Sequence, residues 1–362
     1  MTPQDSSEAP VPNVLEPELG EIARHVASRR CEVRLVGIQV PDGLKRAAVA
    51  LARAVESRLG VGVVLSVNPC FGACDLDDAL LSMVDVLFHI GHTPMVRRRN
   101  VVYLPHRLEL PWREAVEAAL PLLPGGEDRD EVGAARTTAA LGIARGEDGR
   151  GRAARIGLIT TAQHLHQLPR VRTFLRQRGF DVVVERGRGG VQPGQVLGCN
   201  LSAAPRNADA VLYLGTGAFH PLGVALSTGL PVVQADLELA EARRVDADEF
   251  RKRRYLTMAR ALDARRWGII VGEKAGQRLL PVALELKRKV PGAVLLAMDS
   301  ITPASLEGLP MDAYAVCACP RVALDDGPLY PKPMLTPGEV LVIAGERRME
   351  DVDFFWGWPA GG

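Results

Sequence analysis

Short apolar runs bounded by glycine and proline alternate with longer segments whose apolar positions recur at helical spacing. VRLVGIQVP at 33–41 reads as a buried strand, and GLKRAAVALARAVESRLG follows as a helix that Gly60 closes as a C-cap. VGVVLSVN is the next strand, a short helix leads to VDVLFHIGH, and VVYLPH is a further strand. The pattern restarts at 155–161 with the strand RIGLITT. The helix QHLHQLPRVRTFLRQRG follows, ending at Gly179, and then the strand DVVVERG. ADAVLYLGTG, FHPLGVALSTG and PVVQADL continue as strand, helix and strand. A long charged helix around EFRKRRYLTMARALDARR opens the last third. There WGIIVGE, AVLLAMDS, DAYAVCAC and EVLVIAG read as strands and GQRLLPVALELKRKV as a helix.

Such alternation predicts an α/β fold of parallel sheets covered by helices. Three rounds of it predict three related Rossmann-like domains arranged around a pseudo-threefold centre. The boundaries expected are a loose polar N-terminal tail at 1–30, a first domain at 31–124, a Gly-rich, mixed-charge insertion or linker at 125–154, a second domain at 155–238 and a third at 239–362. Ligands of such sheets bind outside the carboxyl ends of the strands.

Composition narrows the class. A chain of 362 residues, 47% apolar, has room for two or three cores. A net charge of +1 argues against bulk nucleic acid or an acidic membrane as partner. Arginine outnumbers lysine 38 to 6, which reflects genomic base composition rather than a basic patch. No apolar run reaches the ~18 residues of a membrane span. The N-terminal stretch lacks the basic and apolar regions of a secretory signal, so the expected compartment is a reducing cytoplasm.

Six cysteines, at 31, 70, 74, 199, 317 and 319, are too sparse for a disulfide framework. Cys74 in NPCFGACDLDD, Cys199 in GQVLGCN and Cys319 in VCACPRVALDD lie 125 and 120 residues apart, each in a loop after a strand-like run. Equal spacing of one chemistry implies three copies of one unit, each giving a thiolate to a common centre. Three thiolates on a four-iron cluster leave one iron open to a substrate. The repeat is imperfect, because the third cysteine follows the third strand of its domain rather than the second. The competing readings are buried, inert cysteines and structural zinc, which the close pairs Cys70/Cys74 and Cys317/Cys319 leave open. The C-x-x-x-C-x-x-C signature of common radical enzymes is absent, since Asp77 stands at its last position. Cys74 precedes the acidic helix start DLDD, and Cys319 precedes Pro320. Cys70, Cys317 and Cys31 read as packing residues.

At these loops the chain resembles the diphthamide-synthesis radical enzymes of archaea and eukaryotes. The matching stretches are IQVPDGL, GACDLDD with VDVLFHIGHTPM, TTAQHLHQL, GQVLGCN, YLGTGAFHPLGVAL, VGEKAGQ and ACPRVALDDG with KPMLTPGE. They span about residues 38 to 339 in order. The resemblance implies three domains around a [4Fe–4S] cluster whose ligands fall on Cys74, Cys199 and Cys319, with S-adenosylmethionine held at the open iron. It further implies cleavage of the sulfonium bond to the amino-acid side chain. The 3-amino-3-carboxypropyl radical so made adds to C2 of a histidine in translation elongation factor 2, the first step of diphthamide formation. A homodimer and an external electron donor are implied too. Phe71 departs from a Tyr common in eukaryotic members.

Gln39, Asp42, Gly215, His220 and Arg321 are the pocket candidates for S-adenosylmethionine. Arg321 offers a guanidinium suited to a carboxylate, and the Gly-rich approach to His220 admits a ligand close to the backbone. A surface arginine is the plain alternative, and Asp325 and Asp326 read as solvated. His89 and His92 either shape the pocket or are strand-end histidines satisfied by backbone. His164 and His166, on an early helix turn, read as structural. The C-terminal DFFWGWP docks on the body or on another subunit. Two other functions compete. Quinolinate synthase shares the three-cysteine plan but has a histidine three residues after its middle cysteine, where this chain has Ser202. A non-catalytic, cluster-bearing partner subunit is the other.

Overall fold

The apolar runs form strands in one repeated order. β1 (Leu35–Gln39), β2 (Gly62–Leu65), β3 (Val86–Ile90) and β4 (Val101–Leu104) make a parallel sheet of order β2-β1-β3-β4. β5 (Arg155–Thr160), β6 (Asp181–Val183), β7 (Ala210–Leu214) and β8 (Val232–Asp236) repeat it as β6-β5-β7-β8, and β9 (Glu241–Arg244) adds an antiparallel edge. β10 (Trp267–Gly272), β11 (Val294–Met298), β12 (Ala313–Cys317) and β13 (Met334–Leu335) repeat it again as β11-β10-β12-β13, all parallel. β3, β7 and β12 are buried at every position, as a central strand covered on both faces must be. The computed structural model describes residues 15–29, 31–95, 97–125, 152–189 and 191–358. Residues 126–151, most of the expected insertion, lie outside them.

Two compact units emerge. One holds the chain up to Leu108 together with Lys274–Gly276, and the other holds Glu109–Glu273 and everything from Gln277. In the first, the helix Lys45–Leu59 buries Ala48, Leu51 and Val55 and ends at Gly60, whose φ of 66° lets its N–H reach the Glu56 carbonyl. Within the described residues of the expected tail, 15–29 depart from a loose segment. Glu16–Ser28 is a helix, and Leu15, Leu19 and Ile22 are at most 2% exposed in the core of the first sheet. Their spacing puts an apolar stripe on one face, against the helix Lys45–Leu59.

Three further readings are corrected by packing. The helix Arg113–Ala119, inside the stretch assigned to the first domain, buries Ala115, Val116 and Ala119 with Ile156, Leu158 and Leu212 of the second sheet. EVLVIAG is not a strand: Pro337–Ile343 is a helix. Thr336 and Glu339 form a capping box, with Pro337 at the first helical position. The charged helix is shorter than its pattern, running only Asp248–Ala259. The C-terminal aromatics dock on the second unit itself. Phe354, Phe355 and Trp358 are at most 5% exposed against Val211, Tyr213 and Val224. The Trp358 indole N–H donates to the Ala318 carbonyl at 2.9 Å. Among the described residues no helix is long and apolar enough to cross a membrane.

Candidate functional site

Each sheet sends its chemistry to the carboxyl ends of its strands. In the first unit Gln39 ends β1 at 1% exposure and organises the Cys74 loop. Its Nε2 donates to the Asp75 carbonyl at 2.6 Å, and its Oε1 accepts from the Asp77 N–H at 3.2 Å. Asp77 caps the helix Asp78–Met83 by accepting from the Leu80 N–H at 2.9 Å, and takes the Ser66 hydroxyl and the Asn68 amide on its other oxygen. Burial works against its charge, yet these donors hold its carboxyl below the ordinary range. Asp75 is buried and bonded to Lys274 Nζ at 2.7 Å.

Cys74 sits in this frame half-buried, and none of the six cysteines forms a disulfide. Gly276 lies directly against it, because a Cβ there would stand 2.6 Å from Cys74 Cα. Cys70 is different. It is 3% exposed, and burial, with Asp75 and Cys74 adding to it, pushes its thiol up to about 12.

His89 and His92 are satisfied by side chains, not by backbone as one reading had it. His89 Nδ1 lies 3.0 Å from Gln39 Oε1, and His89 Nε2 lies 2.9 Å from His92 Nδ1. Burial lowers His89 to about 3, with His92 adding to it, and lowers His92 to about 4, so both rings are neutral. Asp42 stands apart at the surface. Its carboxylate pairs with Lys45 at 2.6 Å and is held low by that bond, with a smaller contribution from the Cys70 backbone.

In the second unit the chain after β6 runs back along the end of β5, where Thr160 bonds Gly194 and Val196 through its backbone. A tight turn then joins Leu197 to Asn200 and presents Cys199, half-buried. The loop after β7 is held from below by Gln234, which is fully buried. Its Nε2 donates to the carbonyls of Gly215 and Gly217, and its Oε1 accepts from Arg243 at 3.0 Å. His220 opens the next helix turn half-buried, its ring parallel to Tyr213 at 6.2 Å. Burial lowers it to about 4, and Arg321 adds to the shift.

Cys319 stands at the N-cap of the helix Pro320–Leu324, just past β12, while Cys317 is fully buried in the strand and pushed up to about 12 by that burial. Arg321 pairs with Asp325 at 2.7 Å and covers the Phe219 ring at 5.1 Å. A Cβ on Gly198 would come within 4.0 Å of its Cδ and 3.0 Å of Phe219. The Cys199 turn, the His220 loop and the Cys319 helix therefore meet at one surface of this unit. His164 and His166 lie on the 3-10 turn after β5.

Arg254 and Glu339 support the Cys319 helix from beneath. They form a two-pronged ion pair at 2.7 and 2.6 Å, 5% and 0% exposed. Arg254 also donates to the Ala323 carbonyl of that helix at 2.8 Å and to the Met334 carbonyl at 2.9 Å. Sequence reading missed Asp75, Lys274, Gln234 and this pair. Asp75, Lys274 and Glu339 fall in stretches that the resemblance marked, GACDLDD, VGEKAGQ and KPMLTPGE, but nothing there singled them out.

Residues 40–139 and 144–354 match the sequence profile of the diphthamide synthesis protein family. The 2-(3-amino-3-carboxypropyl)histidine synthase of Pyrococcus horikoshii is 35% identical over 340 residues, covering 91% of this chain and 92% of that protein. Subunit 1 of the same synthase from Encephalitozoon cuniculi is 26% identical, covering 92% and 90%. The human subunit 1 is 24% identical, covering 92% and 74%. Among solved structures, that of Dph2 from Pyrococcus horikoshii with a 4Fe-4S cluster superposes with a TM-score of 0.78 at 33% identity, covering 92% of each chain.

Proposed function

Because the chain belongs to the diphthamide synthesis protein family, we propose that it is a 2-(3-amino-3-carboxypropyl)histidine synthase holding a [4Fe–4S] cluster through Cys74, Cys199 and Cys319. Its substrates are S-adenosylmethionine and a histidine of translation elongation factor 2. The 3-amino-3-carboxypropyl group replaces the hydrogen at C2 of the imidazole, which would leave as a proton as one electron is given back, and methylthioadenosine is the other product. When bound, the cluster supplies the electron that opens the sulfonium bond. The working form is a homodimer served by an external electron donor.

The observation that carries this reading is the contrast within each cysteine pair. Cys70 and Cys317 are buried, with thiols held protonated. Cys74, Cys199 and Cys319 are half-buried on loops at strand carboxyl ends, open enough for a preassembled or growing cluster to reach. Gly276 packs directly on the Cys74 backbone and Gly198 on the Phe219 ring, approaches that a Cβ would block, and a set of three accessible thiols fits an iron–sulfur group. Gln39 fixes the backbone on either side of Leu76 and, with Asp75 and Lys274, keeps the Cys74 loop from rearranging. Arg321, beside Phe219 and Gly198, is assigned to S-adenosylmethionine with its neighbours His220 and Gly215 on the preceding loop, Arg321 exchanging Asp325 for the substrate carboxylate. In the first unit Asp42 remains the candidate, while Gln39, buried and with both amide atoms engaged, acts on the loop rather than on substrate.

The test is anaerobic reconstitution with iron and sulfide, then dithionite and S-adenosylmethionine. Methylthioadenosine is the expected product. Deoxyadenosine would instead indicate ordinary radical chemistry, and no product would favour a non-catalytic partner subunit. A second expectation concerns Gly276→Ala. Its methyl group meets the backbone of Cys74, which cannot yield cheaply, so the loop shifts at a cost of about 1–3 kcal/mol. Iron bound per chain should fall well below wild type under identical reconstitution, and equal loading would argue against a tight seat for Cys74.

A further inference from the structure

Cys70, His89 and His92 bring one ligand atom each to within 4.8 Å of one another. None of the three is used by the iron assignment above. We propose that they form a separate mononuclear site for a divalent transition metal of the zinc type, with water completing a tetrahedron.

The donor set selects the metal class. One thiolate and two imidazoles suit zinc, cobalt or ferrous iron, and exclude magnesium and calcium, which take oxygen. Three protein ligands plus water is the pattern of an accessible zinc centre. Burial already keeps both imidazoles neutral, the form that binds metal.

The hydrogen bonds fix which atoms point inward. Gln39 Nε2 is committed as donor to the Asp75 carbonyl, and Gln39 Oε1 accepts from the Asp77 N–H. Oε1 can therefore only accept from His89, so the ring carries its proton on Nδ1. Its Nε2 lone pair faces His92 Nδ1 at 2.9 Å. This amide–imidazole contact is the outer-shell bond that orients a metal-binding histidine. Tetrahedral bonds of about 2.0 to 2.3 Å would separate neighbouring ligand atoms by roughly 3.3–3.8 Å. The two rings need to part by only about 0.5 Å on this basis. On loading, the Cys70 thiol gives up its proton to solvent, and the His92 proton moves from Nδ1 to Nε2.

Cobalt(II) is the probe. The full-length chain carrying Cys74→Ser, Cys199→Ser and Cys319→Ser together is stripped with chelator and titrated. One Co²⁺ per chain is expected, with tetrahedral d–d absorption and a sulfur-to-cobalt charge-transfer band. Adding Cys70→Ser removes the charge-transfer band, and Gln39→Leu weakens binding by about 10- to 100-fold. Absence of saturable binding, or a spectrum that Cys70→Ser leaves unchanged, overturns the proposal. Should the triple variant fail to fold, zinc is counted in the cluster-loaded wild type after incubation with Zn²⁺. One zinc per chain that disappears in Cys70→Ser while iron stays supports the site; no zinc, or zinc retained in Cys70→Ser, rejects it. The two metal sites share no ligand, so failure of either reading leaves the other standing.

Discussion

Cys199→Ala is expected to leave anaerobic reconstitution with no cluster absorbance and no methylthioadenosine, whereas Cys70→Ala keeps both. The difference lies in environment rather than in residue type. Cys70 is closed in at 3% exposure, and its thiol is pushed up to about 12. Deprotonating it at neutral pH requires a metal already in contact. Cys199 stands half-buried at the tip of a tight turn, where a thiolate is solvated and reachable. Removing one of three thiolates leaves two, too few to hold a cluster against loss of iron. Cys74→Ala and Cys319→Ala should behave as Cys199→Ala does. Iron content and visible absorbance decide the matter. Loss of the cluster in Cys70→Ala with its retention in Cys74→Ala would move the ligand back along the loop.

Arg254→Met should destabilise the second unit by about 3–5 kcal/mol, the usual result of stripping one partner from a buried ion pair. Glu339 would remain at 0% exposure with its charge uncompensated. The carbonyls of Ala323 and Met334 would also lose their donors. At about 2–4 °C per kcal/mol for a body of this size, the melting transition falls by roughly 10 °C. The same change should reduce iron retention, since Ala323 lies on the helix that Cys319 caps. A variant with Met at 254 and Leu at 339 restores an apolar pair, and should recover much of the melting temperature. A shift under a degree or two in the single variant would show that the pair is not the support described.

The strands were legible because a parallel sheet covered on both faces demands continuous apolar runs, as in Ala210–Leu214 and Ala313–Cys317. Helix ends marked by Gly60 and Gly179 were legible for a local reason: both take the left-handed conformation that glycine reaches freely. Misreadings came where two signals competed. EVLVIAG carries β-branched residues, but the capping box of Thr336 and Glu339 together with Pro337 decides for helix. The edge strand Glu241–Arg244 is almost wholly polar because only one side of it is covered, so hydrophobic patterning is blind to it. The three cysteine loops were visible through their likeness to one another and to a family. Their supports were not. Gln234, Arg254 and Lys274 are single polar residues, and their roles depend on partners that only the folded chain brings near.

Lys274–Gly276 belongs with the first unit, although 165 residues intervene after Leu108. At about 5–20 residues per second of synthesis, the first sheet can form some ten to thirty seconds before this segment leaves the ribosome. During that interval Asp75 is without its ammonium partner, and the backbone of Cys74 is without the glycine that lies against it. A nascent chain should therefore hold the Cys74 loop only loosely. The seat for that cysteine is finished late in translation, after most of the chain has been made.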